Sequence, residues 1–592
     1  MNGRCRRAWS LRCLEHWHII ALTALVLAGG RVGAAVPAAP LELSVYCTAG
    51  DVKHYLGTAE GQELVLRTVQ PLKVARLFLE GRRGDEYVSP ERLRELRDWF
   101  GVRGIQCSGG IATVPGAHFG QRQQGGLEWL KWESRKTQAD VAASFAEGAS
   151  VFPELIVDDF YCTGDTSPEA AQARGARSWG EYRRDLLVSL INPLLVNPAR
   201  AAHKQTRLIL KFPQWYDLFQ LYGYDPLRMP AHFDQIWVGT EVRDPETRRM
   251  GFVQPTEGYM NFRWLASQAG SKVRGAWFDH IECSAQNFLD QAYLSVLAGA
   301  RELTLFSLND LMAGHPGDTL LAAQWPELCG AAERVQRKPR RGLAYYKPAG
   351  SNGSENLYLA DYLGMIGLPV LPVAHYPSDA EAAFLPVQAA ADAGLLGSMR
   401  RHLKRGATLV LTPALVRALG QEGAQLCGVE ARSPSEPATA KTMGMSTPSV
   451  DLAAPLELDA ALKAVDCKVE LSAGLGERQV PFLTSRAVGR GRVLVMNVRT
   501  FSDSDFGKAG EYLLAPTRLG LAKIPQVVAD TIRSELLRPL RIDLRGQPGV
   551  AVVLVGKQAC FYNFRGEAAE FQYQGRMVAL APHQCRWSDA GR

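Results

Sequence analysis

Pro153-Glu-Leu-Ile-Val-Asp-Asp-Phe-Tyr-Cys162 is a short apolar run that stops in two adjacent carboxylates. A parallel strand buried on both faces reads as a continuous Val/Ile/Leu run, so packing inside a sheet does not account for Asp158 and Asp159. Acids at the C-terminal end of such a strand stand where α/β folds place their chemistry. In a (β/α)8 barrel, the loops after the strands form the active-site face. The structural alternative for either acid is a cap on the next helix or an ion pair with a nearby Arg.

Outward from this run, the chain from Leu41 repeats one pattern: a short apolar segment, turn residues, then an amphipathic stretch of ten or more. Strands are expected at Leu43–Cys47, Lys73–Glu80, Gly104–Ile111, Glu154–Cys162, Arg207–Pro213, Asp234–Glu241, Arg274–Ile281 and Glu302–Leu308. Helices are expected at Glu60–Val69, Pro90–Phe100, Thr137–Ala149, Ser178–Leu195, Glu257–Ala269 and Ala285–Ala300. Ser89-Pro90-Glu91 ahead of Leu93 is a good start signal, because proline is preorganised for a first helical turn. Eight strand-then-helix units in about 290 residues fit a (β/α)8 TIM barrel over 41–335 better than an open doubly wound sheet.

A boundary follows near Gln336-Arg-Lys-Pro-Arg-Arg341, and a second α/β region opens. Gly342-Leu-Ala-Tyr-Tyr346, Val370–Val373, Ala407–Thr412 and Gly491–Asn497 read as strands. Asn356–Ile366, Leu395–Lys404 and part of Thr517–Leu537 read as helices. This alternation predicts a smaller flavodoxin-like domain over 340–537, with Ala431–Val450, rich in Ser, Pro, Thr and Ala, as a loop or excursion. From Leu540 short alternating segments at Val550–Val555, Ala559–Phe564, Glu570–Tyr573 and Met577–Leu580 predict a small antiparallel β-domain over 538–592.

The length of 592 residues and the 46% hydrophobic content are what a chain of about three domains requires. Arg4, Arg6 and Arg7, the apolar stretch His18–Ala28 and the small residues at Val32–Ala35 have the order of a secretory signal peptide over 1–35. That apolar run is too short to be read first as a membrane span. A secreted or periplasmic protein, free of the membrane after signal cleavage, is expected. The net charge of +7 is scattered among acids and partly belongs to the leader, so no nucleic-acid partner is implied.

Of eleven cysteines, Cys5 and Cys13 fall in the leader; the odd number that remains shows no CxxC spacing. Export allows disulfides without specifying them; Cys47, Cys107, Cys162 and Cys283, all at or near strand ends of one face, read as one bridge among the four or, alternatively, as buried free thiols. No GxGxxG or GKS/GKT follows a strand, and no HxH follows the first. A nucleotide cofactor therefore lacks its signature, and no metal or other cofactor is expected.

Carboxylates gather at the ends of these strands: Asp158 and Asp159 after the fourth, Glu241 after the sixth, Asp279 and then Glu282 after the seventh, and Asp310, beside the amide of Asn309, after the eighth. Glycoside hydrolysis needs one acid to protonate the leaving oxygen and a second carboxylate to attack the anomeric carbon or activate water. Mutual repulsion and partial burial hold such a pair at different pKa values. Trp215 and Tyr216 after strand five, with Trp129 and Trp132 after strand three, are the kind of rings on which sugar faces stack. Arg82 and Arg83, His118, Lys211, Gln214 and Arg243 stand where they would line the same cleft, although packing or capping explains each one alone equally well.

Barrel, flavodoxin-like domain and small β-domain, in that order, resemble the secreted β-galactosidase type whose middle domain forms trimers. That resemblance implies homo-oligomerisation through 340–537. In the retaining barrel glycosidases with acids after strands four and seven, both acids are usually Glu and the first follows Asn. This chain departs from that with Asp158-Asp159 and Asp279. Val157-Asp-Asp-Phe-Tyr161 looks more like the Asp-Asp-aromatic segment of poorly characterised glycosidase-like barrels. Asp nucleophiles after strand four also occur in α-galactosidase-like barrels, whose acid lies after strand six, the position of Glu241. The resemblance implies an exported enzyme cleaving an O-glycosidic bond with Asp158 and Asp279, and with Asp159 or Glu241 as the alternative member of the pair. Because side chains alternate along a strand, one of Asp158 and Asp159 faces the barrel axis, and Asp158 is the expected one. The competing readings are a non-catalytic carbohydrate-binding barrel and a metal-dependent hydrolase, the second disfavoured by isolated histidines such as His118 and His280.

Overall fold

The computed structural model describes residues 39–125, 127, 129–158, 161–246, 252–351, 353, 355–432, 437–444, 449–506, 515 and 517–589. Asp159 and the leader lie outside them. The eight expected barrel strands are all present: β1 Glu42–Cys47, β2 Arg76–Glu80, β3 Gln106–Ile111, β4 Glu154–Val157, β5 Arg207–Phe212, β6 Gln235–Gly239, β7 Val273–Asp279 and β8 Glu302–Phe306. They form one closed parallel ring, sealed where β1 pairs with β8 in the register Glu42 to Glu302. β4 ends at Val157, earlier than the apolar run to Cys162 suggests, although the Asp158 backbone N–H still donates across to Ile111 at 3.0 Å. The expected helix Ser178–Leu195 is an α-helix over Trp179–Leu190 that continues as a π-helical turn through Val196 and a short helix to Ala202.

Side chains of one phase fill the ring. Tyr46, Phe78, Ile156, Ile209, Trp237 and Trp277 make a cluster of their own, with Phe306 against it. Such layers of bulky side chains make a barrel interior a packed core and not a pore. Gly110 belongs to the same layer, and a Cβ there would stand 2.6 Å from the Tyr46 hydroxyl, so glycine is what lets the phenol cross the ring. The floor is ionic: Arg76 bonds to Glu154 and lies 3.4 Å from Glu302, and Arg207 adds a contact of 2.9 Å to Glu154.

The second region is a nine-stranded sheet. Its strands are β9 Leu343–Tyr346, β10 Val370–Val373, β11 Ala382–Leu385, β12 Thr408–Leu411, β13 Pro437–Gly444, β14 Val450–Asp459, β15 Lys468–Leu475, β16 Arg478–Val488 and β17 Gly491–Met496. The parallel part runs β10-β9-β11-β12-β17, the 2-1-3-4-5 order of flavodoxin-like sheets. Between its fourth and fifth members the chain builds an antiparallel extension, β16-β15-β13-β14. Of the two readings of 431–450, loop or excursion, the described part is an excursion with strand structure: residues 437–444 are a strand and Val450 begins another. Ala440 and Met443 are buried while Thr439 and Lys441 face solvent, so small residues carry the alternation that a larger side chain would have advertised.

The last region holds β18 Leu544–Gly546, β19 Val550–Val555, β20 Gln558–Asn563, β21 Ala569–Tyr573, β22 Arg576–Leu580 and β23 Cys585–Asp589, in two antiparallel sheets. The connecting residues Arg340–Arg341 pair with β19, so the chain enters this sheet before it builds the middle one. Tyr562 fastens it to the barrel by donating to Asp290 at 2.5 Å.

Candidate active site

Because Ile156, Ile209, Trp237 and Trp277 point inward, the side chains two residues further on, Asp158, Lys211, Gly239 and Asp279, are turned to the same axis at the C-terminal mouth. Glu80 follows inward Phe78 in the same way, and Glu241 continues the phase of Gly239. Asp158, Lys211, Glu241 and Asp279 are each 5% exposed or less. Four carboxylates and a lysine are thus drawn from five strand ends to one mouth.

Cations hold these acids in place. Arg83 donates to Asp158 Oδ2 at 2.6 Å and, through Nε and Nη2, to both oxygens of Glu80 at 2.8–3.2 Å. Glu80 is fully buried and also accepts from the Tyr46 hydroxyl at 2.6 Å and the Ala49 backbone N–H at 2.8 Å. Burial, Glu80 and Asp158 push the Tyr46 phenol well above its ordinary range, so it remains a proton donor. Burial by itself would lower the pKa of Arg83, but Glu80 and Asp158 outweigh it and raise it.

Lys211 Nζ donates to Glu241 Oε1 at 2.8 Å and stands 4.5 Å from the centre of the Trp277 ring. Gln214, with its amide nitrogen toward Glu241, donates to Oε2 at 3.2 Å and to the backbone oxygen at 2.5 Å. A Cβ at Gly239 would meet Glu241 Oε2 at 2.5 Å, so this glycine makes room for the carboxylate to fold back over the strand. Arg243 takes Asp279 in a fork, Nε to Oδ1 at 2.9 Å and Nη2 to Oδ2 at 2.5 Å. Gln291 ties the pair to the helix Ala285–Ala298, donating to the Asp279 backbone oxygen at 3.0 Å and accepting from the Arg243 N–H at 3.2 Å.

The other expected residues are dispersed. Trp215 stacks on Trp129 with centroids 6.1 Å apart and the planes 11° from parallel, inside a buried aromatic group with Tyr222 and Tyr224. Tyr216 turns toward the second region, where its hydroxyl donates to Asp361 at 2.8 Å. Arg82 lies over Tyr87 and Phe119, while its neighbour Arg83 reaches the mouth. His118 and Glu282 are exposed, and Asn309 accepts from the Tyr55 hydroxyl at 2.9 Å. Glu80 and Tyr46, which the reading of the sequence does not place at the mouth, also stand there. Glu80 nevertheless carries the signal that marks Asp158, since Leu77-Phe-Leu-Glu80 is also an apolar run ending in an acid.

Among the described residues no group of three His, Cys, Asp or Glu side chains is placed to hold a metal ion, and no helix is long and apolar enough to cross a membrane. The expected bridge among Cys47, Cys107, Cys162 and Cys283 is not formed; all four are free thiols.

Residues 34–328, the barrel, match the family described as "Probable glycosyl hydrolase, catalytic domain", and residues 340–446 match "Uncharacterized protein SSO3021, second domain". The uncharacterized protein SSO3021 of Saccharolobus solfataricus is 22% identical over 426 residues, 66% of this chain and 69% of that one. Among solved structures, a catalytic mutant of Gan42B, a GH42 β-galactosidase from G. stearothermophilus, superposes with a TM-score of 0.61 at 12% identity, covering 92% of this chain and 98% of that one. Alpha-L-fucosidase isoenzyme 2 from Paenibacillus thiaminolyticus gives 0.58 at 11%, covering 90% and 93%. At these identities the structural likeness shows the fold alone: a closed (β/α)8 barrel followed by an α/β sheet and small antiparallel sheets.

Proposed function

We propose, from the match of residues 34–328 to that catalytic family, that the protein hydrolyses an O-glycosidic bond of an oligo- or polysaccharide at the mouth formed by Asp158, Glu241 and Asp279. The match of the barrel to that catalytic family supports enzymatic, glycosidase activity. The observation that carries the site is the common phase of Asp158, Glu241 and Asp279, three carboxylates from β4, β6 and β7 turned to one axis at one end of a closed ring.

The environments divide the labour. Asp279 is forked by Arg243 with its orientation fixed, which suits attack on, or charge stabilisation at, the anomeric carbon. Asp158 shares Arg83 with Glu80, and Glu241 is paired with Lys211; the one of the two that takes up a proton from solvent delivers it to the leaving oxygen and is left as the carboxylate. Asp159, Lys211, Gln214 and Arg83 belong to the same proposal as groups that steer these acids. Export through the leader and self-association through the middle sheet complete it; N-terminal sequencing of the mature protein and light scattering test those two points.

A second reading, a carbohydrate-binding barrel without turnover, takes its support from the same ion pairs, since Asp158 and Asp279 are both salt-linked and 2% exposed. One experiment decides between them. The purified protein is screened on α- and β-linked aryl glycosides and polysaccharides, with product stereochemistry by NMR, alongside Asp158→Asn, Glu241→Gln and Asp279→Asn. At least two variants are expected to lose turnover by about 10²–10⁴-fold with their fold intact. Saccharide binding without turnover establishes the second reading, and undiminished turnover in all three variants removes this mouth from the reaction.

A further inference from the structure

Cys560 lies in β20 and Cys585 opens β23, its antiparallel neighbour. The register pairs Tyr562 with Cys585 and Cys560 with Trp587, so the two cysteines are diagonal neighbours on one face of the sheet. Both are buried, at 0% and 8% exposure, and their Sγ atoms stand 3.4 Å apart. A disulfide needs about 2.05 Å between sulfurs, an approach of about 1.4 Å that small rotations of the two side chains supply. Cysteine spacing along the chain does not reveal this pair, because the two are 25 positions apart and only the sheet register makes them neighbours.

We infer that Cys560 and Cys585 are a disulfide site, oxidised by a disulfide-exchange oxidant as the chain folds in an oxidising compartment. The thiolate of one cysteine attacks the oxidant's disulfide, forms a mixed disulfide and releases the first of the oxidant's two thiols. The thiolate of the other then displaces the second, so the pair loses two electrons and two protons and the oxidant leaves as a dithiol. Burial pushes the Cys560 thiol well above its ordinary pKa, which starves that residue of thiolate once the sheet is folded. The bond therefore forms before β23 closes over the sheet, and is afterwards shielded from reductants. It pins the last strand to the sheet that Tyr562 fastens to the barrel.

The inference stands apart from any catalytic role and has its own test. The full chain is exported to a bacterial periplasm, recovered without reductant, alkylated under denaturing conditions and cut with trypsin. The peptides Gln558–Arg565 and Met577–Arg586 are expected joined, two hydrogens lighter than their sum. Reductant is expected to lower Tm in the parent and leave it unchanged in the Cys560→Ser/Cys585→Ser variant. Recovery of both peptides alkylated, or of Cys560 joined to a different cysteine, overturns the inference.

Discussion

Arg243 grips Asp279 by two nitrogens, with Nη2 2.5 Å from Oδ2 and Nε 2.9 Å from Oδ1. Lysine keeps the charge and loses the fork. Arg243→Lys is therefore expected to lower kcat about tenfold or more on any glycoside that is cleaved. Arg243→Ala leaves a buried carboxylate unpaired and should cost about 3–5 kcal/mol of stability, read from urea unfolding. Equal kcat values for Arg243→Lys and the parent would show that the orientation of Asp279 does not matter to turnover.

Arg83 stands between two acids, so its removal does more damage than the loss of either. Arg83→Met removes the guanidinium that Glu80 and Asp158 share and is expected to destabilise by about 3–5 kcal/mol. Adding Glu80→Gln to Arg83→Met should recover part of that loss, which a double-mutant cycle measures. A purely additive pair means that Arg83 acts on Asp158 alone.

At the opposite end of the ring, Arg76 faces Glu154 and Glu302. Burial raises the pKa of Glu302 despite Arg76. Arg76→Met should cost about 3–5 kcal/mol with no change in KM, because the floor lies a barrel's depth from the mouth. Thermal unfolding together with kinetics separates this from the Arg83 effect, where both readouts move.

The contact between the barrel and the second region buries more acid than base. Asp217 bonds to the Tyr358 N–H and lies 3.4 Å from Lys347, while Glu257 has both oxygens buried without a hydrogen-bond partner. Burial first, then the charges of Asp361 and Glu241, push the Glu257 carboxyl well above its usual range, and burial does the same for Asp361. Asp503, nearby, is pushed up to about 6 by burial and Asp217. A carboxyl with a raised folded pKa keeps a proton that the unfolded chain releases near pH 4, so its favourable contribution drains away as pH rises toward the folded value. A tenfold difference in proton affinity between the folded and the unfolded chain corresponds to about 1.4 kcal/mol. Glu257→Gln should therefore gain Tm over the parent progressively from pH 5 to pH 8. Asp503→Asn should gain less, with its change complete by about pH 7. A parallel pair of Tm-against-pH curves refutes the Glu257 assignment.

Most of the barrel strands are readable in the sequence because burial on both faces leaves a largely apolar run, whereas β3, Gln106-Cys-Ser-Gly-Gly-Ile111, is read from its place in the repeat of strand and helix. The mouth is readable in part: Asp158, Glu241 and Asp279 stand out as acids that end such runs. What the linear order hides is partnership. Nothing near Asp279 in sequence announces Arg243, thirty-six positions earlier, as its clamp. Tyr216 reads as a sugar platform beside Trp215, yet adjacent residues after a strand diverge, and its hydroxyl finds Asp361, 145 positions away. β13 stays hidden because its buried positions are Ala440 and Met443, too modest a signal among Ser, Pro and Thr.

Arg340–Arg341 pair with β19 more than two hundred positions before that strand is made. The final sheet therefore borrows a piece of the linker, and scissors placed at residue 538 would sever it from its own edge. Whatever ancestry joined these three regions, the polypeptide no longer treats them as interchangeable cassettes: the middle one is threaded through a stitch that holds the outer two together.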